Sequence, residues 1–143
     1  MVVASVTENR YGFCFVFDEQ GRVLVIKRSL TARYRPNEWD LPGGVLEPKE
    51  AVEVGVAREV LEETGLEVSA LEHVIDGGGV WHGESHTFYY YRANSSSGKV
   101  RLSYEHSEFE WHEPLVAATM VRYRPHTYGF AEANKLLMSV NMR

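Results

Sequence analysis

Gly44-Val45-Leu46-Glu47-Pro48-Lys49-Glu50-Ala51-Val52-Glu53-Val54-Gly55-Val56-Ala57-Arg58-Glu59-Val60-Leu61-Glu62-Glu63-Thr64-Gly65-Leu66 is the stretch on which the fold turns. Pro48 suits a first helical position, and Glu47, Glu50 and Glu53 crowd the positive N-terminal end. Gly65 suits the residue just past the last turn. The spacing predicts a helix from Pro48 to Thr64. On a wheel of about 100° per residue, Glu59, Glu62 and Glu63 fall within one arc. Val54, Ala57 and Leu61 cluster roughly opposite, which predicts that they pack on a sheet. Like charges three and four residues apart cost about 0.2–0.5 kcal/mol per pair. Two readings of the acidic arc follow: a solvated face, or a site for a cation. Carboxylate oxygens would select Mg²⁺, or Mn²⁺, over zinc. Arg58, four residues before Glu62, can pair with a carboxylate and fix its rotamer. Gly55 shares the acidic arc, and its missing side chain would admit either a ligand or a closely packed sheet.

Working outward, Pro42-Gly43-Gly44 leads into the helix and can bring backbone close to a ligand. Phe13-Cys14-Phe15-Val16-Phe17 and Val23-Leu24-Val25-Ile26 flank a polar turn ending in Gly21, the pattern of a hairpin. Cys14 inside it reads as a small buried hydrophobe. Ser29 to Asn37 reads as a loop. Leu66 to Ile75 reads as a strand broken by Asp76-Gly77-Gly78-Gly79. His86 to Arg92 and Phe109 to Trp111 read as further strands, and Asn94 to Gly98 as a turn. Phe130 to Val140, with Ala131, Ala133, Leu136, Leu137 and Met138, reads as a second helix. Strands around two helices imply an α+β chain, an α/β/α sandwich with a mixed sheet.

The long stretch resembles the Nudix box: G, five residues, E, seven residues, then R-E-U-x-E-E-x-G-U, with U bulky and aliphatic. Every specified position is met, and Trp39-Asp40-Leu41-Pro42-Gly43 is similar to the family's usual lead-in. The resemblance implies the Nudix fold, an α/β/α sandwich with the mixed β-sheet between helices, spanning residues 1–143 as a single domain. It implies an enzyme: a Nudix hydrolase, a pyrophosphatase acting on a nucleoside diphosphate linked to another group. Carried over by position, Glu59, Glu62 and Glu63 would be catalytic and metal-binding, with the Gly43 or Gly44 carbonyl assisting. Arg58 would orient them, and Glu50 would act structurally or in the outer sphere. The cofactor implied is Mg²⁺, with Mn²⁺ as a substitute. Glu59 is the first candidate for general base. Glu105 and Glu108 are candidates for the base or, in the case of Glu108 above all, an extra metal ligand.

The substrate reading is thinner. Arg33, Arg35 or Arg10 could grip phosphates or base edges, and Tyr34, Trp81 and Phe88 could stack a base. Against each stands the plain reading of a core aromatic or a surface charge. His82 and His86 lie four apart, but glycine-rich surroundings favour a strand or loop over a metal pair. No proline stands near Trp81, where ADP-ribose hydrolases of the family carry one, and neither the dinucleoside polyphosphate tyrosine nor a coenzyme A signature is evident. The resemblance therefore points to the small MutT-like group, converting a nucleoside triphosphate to a monophosphate plus pyrophosphate. The alternatives are another diphosphate substrate, such as a nucleotide sugar or dinucleoside polyphosphate, or a nucleotide-binding module without turnover.

The chain has 143 residues, 44% hydrophobic and 24% charged, which suits one globular domain. A net charge of −5 disfavours duplex nucleic acid as a partner. Neither a membrane-length apolar run nor a signal-like N-terminus is seen, and one cysteine forbids an internal disulfide. A cytoplasmic protein binding a small nucleotide is the expectation, with a homodimer as a further one.

Overall fold

Along β1 (Glu8–Phe17), Phe13, Phe15 and Phe17 alternate with Cys14 and Val16, and all five are buried. A strand apolar on both faces must be covered on both. In the computed structural model, which describes residues 8–95 and 98–141 apart from the side chains of residues 81 and 136–141, it is. β2 (Val23–Arg28) repeats the pattern. Val23 and Val25 join the phenylalanine face, while Leu24 and Ile26 join the Cys14 face.

The remaining elements are β3 (Trp39–Asp40), β4 (Gly43–Val45), α1 (Val52–Thr64), β5 (Val68–Trp81), β6 (Glu84–Ser95), β7 (His106–His112), α2 (Pro114–Met120) and α3 (Arg124–Asn141). The sheet runs β3-β2-β1-β6-β5, with β4 paired to β1 and β7 to β2. β1 and β6 are parallel and the other pairs antiparallel, so the sheet is mixed. α1 covers the Cys14 face through Val56 and Val60. α2 and α3 cover the phenylalanine face through Ala117, Val121, Phe130 and Ala133, completing an α/β/α sandwich. Burial pushes the Cys14 thiol up to about 12, so it is an inert core group. Phe15 has no exposed surface and meets the Phe130 ring edge-on at 4.9 Å. Phe15→Ala is expected to cost about 3–5 kcal/mol in urea denaturation, and a loss under about 1 kcal/mol would contradict this packing.

Four sequence expectations need correction. α1 begins at Val52, not Pro48, because Lys49 takes φ +63° and cannot extend a helix. Val54, Ala57 and Leu61 do not pack on the sheet: Val54 is 63% and Leu61 47% exposed. The valines Val52, Val56 and Val60, on an arc flanking Glu63, make that contact instead. β5 runs through Asp76-Gly77-Gly78-Gly79 rather than ending there, since a Cβ on Gly78 would lie 2.2 Å from the His86 carbonyl oxygen across the ladder. Finally, α3 starts at Arg124, six residues before the expected Phe130, and a further helix, α2, precedes it. Of the features named in the sequence, residues 96 and 97 and the side chains of Leu136, Leu137 and Met138 lie outside those described. Among the described residues no helix is long and apolar enough to cross a membrane.

Candidate active site

The chain enters α1 through a brace. Arg10 of β1 donates to the carbonyls of Glu47 at 2.7 Å and Glu50 at 3.0 Å, and the Glu47 amide donates to the Glu50 carboxylate at 3.0 Å. Glu50 then receives Arg58 Nε and Nη2 at 2.8 and 2.9 Å, a two-pronged pair. These bonds from Arg58, aided by the Glu47 amide, hold the Glu50 carboxyl down at about 2. Gly55 serves this pair rather than a ligand or the sheet: a Cβ there would lie 2.6 Å from both Glu50 Oε1 and Leu46 Cδ2.

With two nitrogens spent on Glu50, Arg58 turns Nη1 to Glu59 and Glu62, each at 3.1 Å. Its carboxylate partners, Glu50 first, keep the guanidinium firmly protonated. Glu59 leans over β4, with Oε2 3.1 Å from where a Gly44 Cβ would stand. Burial raises its proton affinity; Arg58 opposes that, and Glu62 and Glu105 add to it. Glu63 lies at the edge of the valine face and is 6% exposed. Its Oε1 accepts the Gly43 N–H at 2.7 Å. Burial raises it well above the usual carboxylate range, the Gly43 bond opposes, and Glu59, Asp40 and Glu105 push it further up. Glu63 Oε2 is 3.7 Å from Nδ1 of buried His106, an atom without a hydrogen-bond partner. Burial lowers His106 to about 4, so the imidazole is neutral at neutral pH.

Anionic oxygens stripped of water and set against one another are a poor arrangement by themselves and a good one around a hard cation. Glu59 and Glu63 beside the Gly43–Gly44 backbone fit Mg²⁺ or Mn²⁺ as a donor set. Among the described residues no three His, Cys, Asp or Glu side chains already form a cation cage, because Arg58 draws Glu59 and Glu62 to itself.

The two candidate acids differ: Glu105, just before β7, acts electrostatically on both Glu59 and Glu63, whereas Glu108 lies within β7 and is paired with Lys27 at 3.4 Å. Arg33 and Tyr34 are exposed on the β2–β3 loop, the guanidinium 5.5 Å from the ring centre. The Arg35 guanidinium carbon sits over the Tyr123 ring, 3.7 Å from its centre, and Arg35 pairs with Asp40 at 3.1 Å. Phe88 stacks on Tyr11 at 4.9 Å. Trp81 ends β5, and its side chain is outside those described. His86 belongs to β6, with Nδ1 3.3 Å from the Tyr11 hydroxyl, while His82 occupies the tight turn before that strand. Sequence reading missed the buried Asp40, His106 and His126; nothing in a linear pattern could place His126 against Asp40, 86 positions away.

The NUDIX domain model matches residues 9–130. The chain belongs to the Nudix family. Among curated relatives, a MutT-like protein of Streptomyces ambofaciens is 39% identical over 101 residues, covering 69% of this chain and 60% of that one. A Bacillus subtilis (strain 168) protein provisionally named an 8-oxo-dGTP diphosphatase is 42% identical over 53 residues, 37% of this chain and 32% of its own length. The Nudix chain thus spans 60% of the first relative's length and 32% of the second's. The crystal structure of the MutT protein from Methanosarcina mazei Go1 superposes with a TM-score of 0.74 at 26% identity, covering 93% of this chain and 99% of that one.

Proposed function

We propose that this Nudix protein is a divalent-metal-dependent hydrolase of a phosphoanhydride bond in a nucleoside triphosphate or a related nucleoside diphosphate derivative. From a triphosphate the products are the monophosphate and pyrophosphate. The observation that carries this reading is the Glu59–Glu63 pair, both with raised proton affinity, set against the Gly43–Gly44 backbone. The provisional 8-oxo-dGTP diphosphatase name of one relative supports the triphosphate as substrate.

Glu59, Glu62, Glu63 and the Gly44 carbonyl would hold the metal, with Glu105, which acts electrostatically on Glu59 and Glu63, or Glu108 as a further ligand. A bound Mg²⁺ or Mn²⁺ supplies charge neutralisation on the phosphates and acidifies a water. Glu59 takes the proton of the attacking water, whose oxygen bonds to phosphorus as the bridging oxygen leaves with its electron pair. Arg58, fixed by Glu50, orients Glu59 and Glu62 before substrate arrives. Arg33 and Tyr34, exposed on the β2–β3 loop, and Arg35, which pairs with Asp40, would contact the nucleotide. Trp81 completes the candidate stacking set. Such a role suits the cytoplasm and a small-molecule partner.

Nucleoside triphosphates, nucleotide sugars and dinucleoside polyphosphates incubated with Mg²⁺ test the reading. Pyrophosphate release from a triphosphate, lost on chelation with EDTA and restored by Mg²⁺, is expected. Turnover of none of these would favour a nucleotide-binding module, and orthophosphate as the sole product would contradict the proposed bond.

A further inference from the structure

Asp40 is 2% exposed yet remains an anion: burial pushes its carboxyl up, but His126, Arg35 and the Leu41 amide outweigh this and leave it at about 2. Oδ1 accepts His126 Nε2–H at 2.6 Å and the Leu41 N–H at 2.8 Å. Oδ2 accepts Arg35 Nη2 at 3.1 Å and Arg28 Nη1 at 3.4 Å. Behind it, fully buried His126 accepts a hydrogen bond from the Tyr90 hydroxyl at Nδ1, 2.7 Å away. Burial lowers His126, so it is a neutral ring with one donor and one acceptor, and both are used. One carboxylate therefore ties together the β2–β3 loop, α3 and, through Tyr90, β6.

Asp40 is also where the chain turns into the active site. Leu41 is buried, the Pro42 carbonyl accepts the Cys14 N–H at 2.9 Å, and Gly43 donates to Glu63. No residue between Asp40 and Glu63's partner is free to drift. Both Asp40 oxygens and both His126 nitrogens are used, and a buried polar network joined in this way holds its members in one arrangement.

We propose that Asp40 is a positioning residue, held by His126, that sets the Gly43–Gly44 backbone against Glu63 and Glu59. The inference rests on the reading of Glu63 as an active-site carboxylate, but its placement of Gly43 can be tested without turnover. Asp40→Asn keeps the shape and removes the charge. His126→Gln keeps an N–H for Asp40, and His126→Leu removes it.

Amide hydrogen exchange on the full chain reads the tether directly. In Asp40→Asn and His126→Leu the Gly43 amide is expected to exchange at least tenfold faster, with the Leu24 and Val56 amides unchanged. His126→Gln is expected to restore most of the protection. With a turned-over substrate, kcat falls at least tenfold in the first two variants while KM moves less than threefold. Unchanged Gly43 exchange, equal acceleration across the core amides, or an unaltered kcat would each overturn the proposal. If the wild-type protein turns over nothing, the hydrolase reading fails, and Gly43 exchange alone decides this one.

Discussion

Glu59→Gln is expected to lower kcat by about 10²–10⁴-fold, the range for removing a positioned general base, with the Tm shifted by no more than a few degrees. The substitution preserves volume and leaves an amide to meet Arg58. It removes the one box carboxylate that leans over Gly44 and faces Glu62 and Glu105 electrostatically. Glu62 offers a useful contrast. Its side chain is 57% exposed and it shares Arg58 Nη1, so its loss should act mainly through metal affinity. Steady-state kinetics at saturating Mg²⁺ separate the two. Near-normal kcat for Glu59→Gln would remove that residue from the reaction.

Glu63→Gln, by contrast, should strengthen the fold while weakening the enzyme. The carboxyl is buried and its proton affinity is raised chiefly by lost solvation. A group whose folded pKa lies above its unfolded value gives the native state more bound protons between the two. Native stability is therefore highest below the unfolded value and falls as pH rises through the folded one. At pH 8 the metal-free wild-type protein carries more of that penalty than at pH 4. Glutamine does not, and its carbonyl can still accept the Gly43 N–H. A gain of about 1–3 kcal/mol at pH 8 is expected, from relief of an incompletely satisfied buried group. It should shrink toward zero near pH 4, and turnover should drop sharply at every pH. Denaturant melts of the metal-free proteins across pH check this. An equal difference at pH 4 and pH 8 would refute the assigned cause.

Such opposed effects on stability and activity are what a functional site leaves behind. They also mark where the linear sequence was legible. The box spacing foretold a helix carrying Glu59, Glu62 and Glu63, and the apolar run Phe13–Phe17 foretold a strand of a hairpin. These are local signals, set by the 3.6- and 2-residue periods. Which apolar arc of α1 met the sheet was misread, because Val54, Ala57 and Leu61 make as good a stripe as Val52, Val56 and Val60. Only the docked sheet chooses between them. Lys49 illustrates a second limit: a left-handed backbone there sets the helix start, and Pro48 nearby suggests an earlier one.

Charge partners were the least legible part. Glu105 and Glu108 are equivalent on paper, three residues apart on one loop and strand. Their separation, one toward Glu59 and Glu63 and the other toward Lys27, follows from the pairing of β7 with β2. Arg10 and Arg35 looked like phosphate ligands, and both are committed to the protein, one to helix-approach carbonyls and one to Asp40. The His126–Asp40 contact closes over most of the chain and leaves no trace in any short window.

A crystal grown with Mn²⁺ and a non-hydrolysable nucleoside triphosphate analogue tests the central claim most directly. Anomalous density should sit among the Glu59, Glu62 and Glu63 carboxylates and the Gly44 carbonyl, touching the phosphates, with Arg58 still clamped by Glu50. Manganese bound elsewhere, or phosphates seated away from those side chains, would contradict the account.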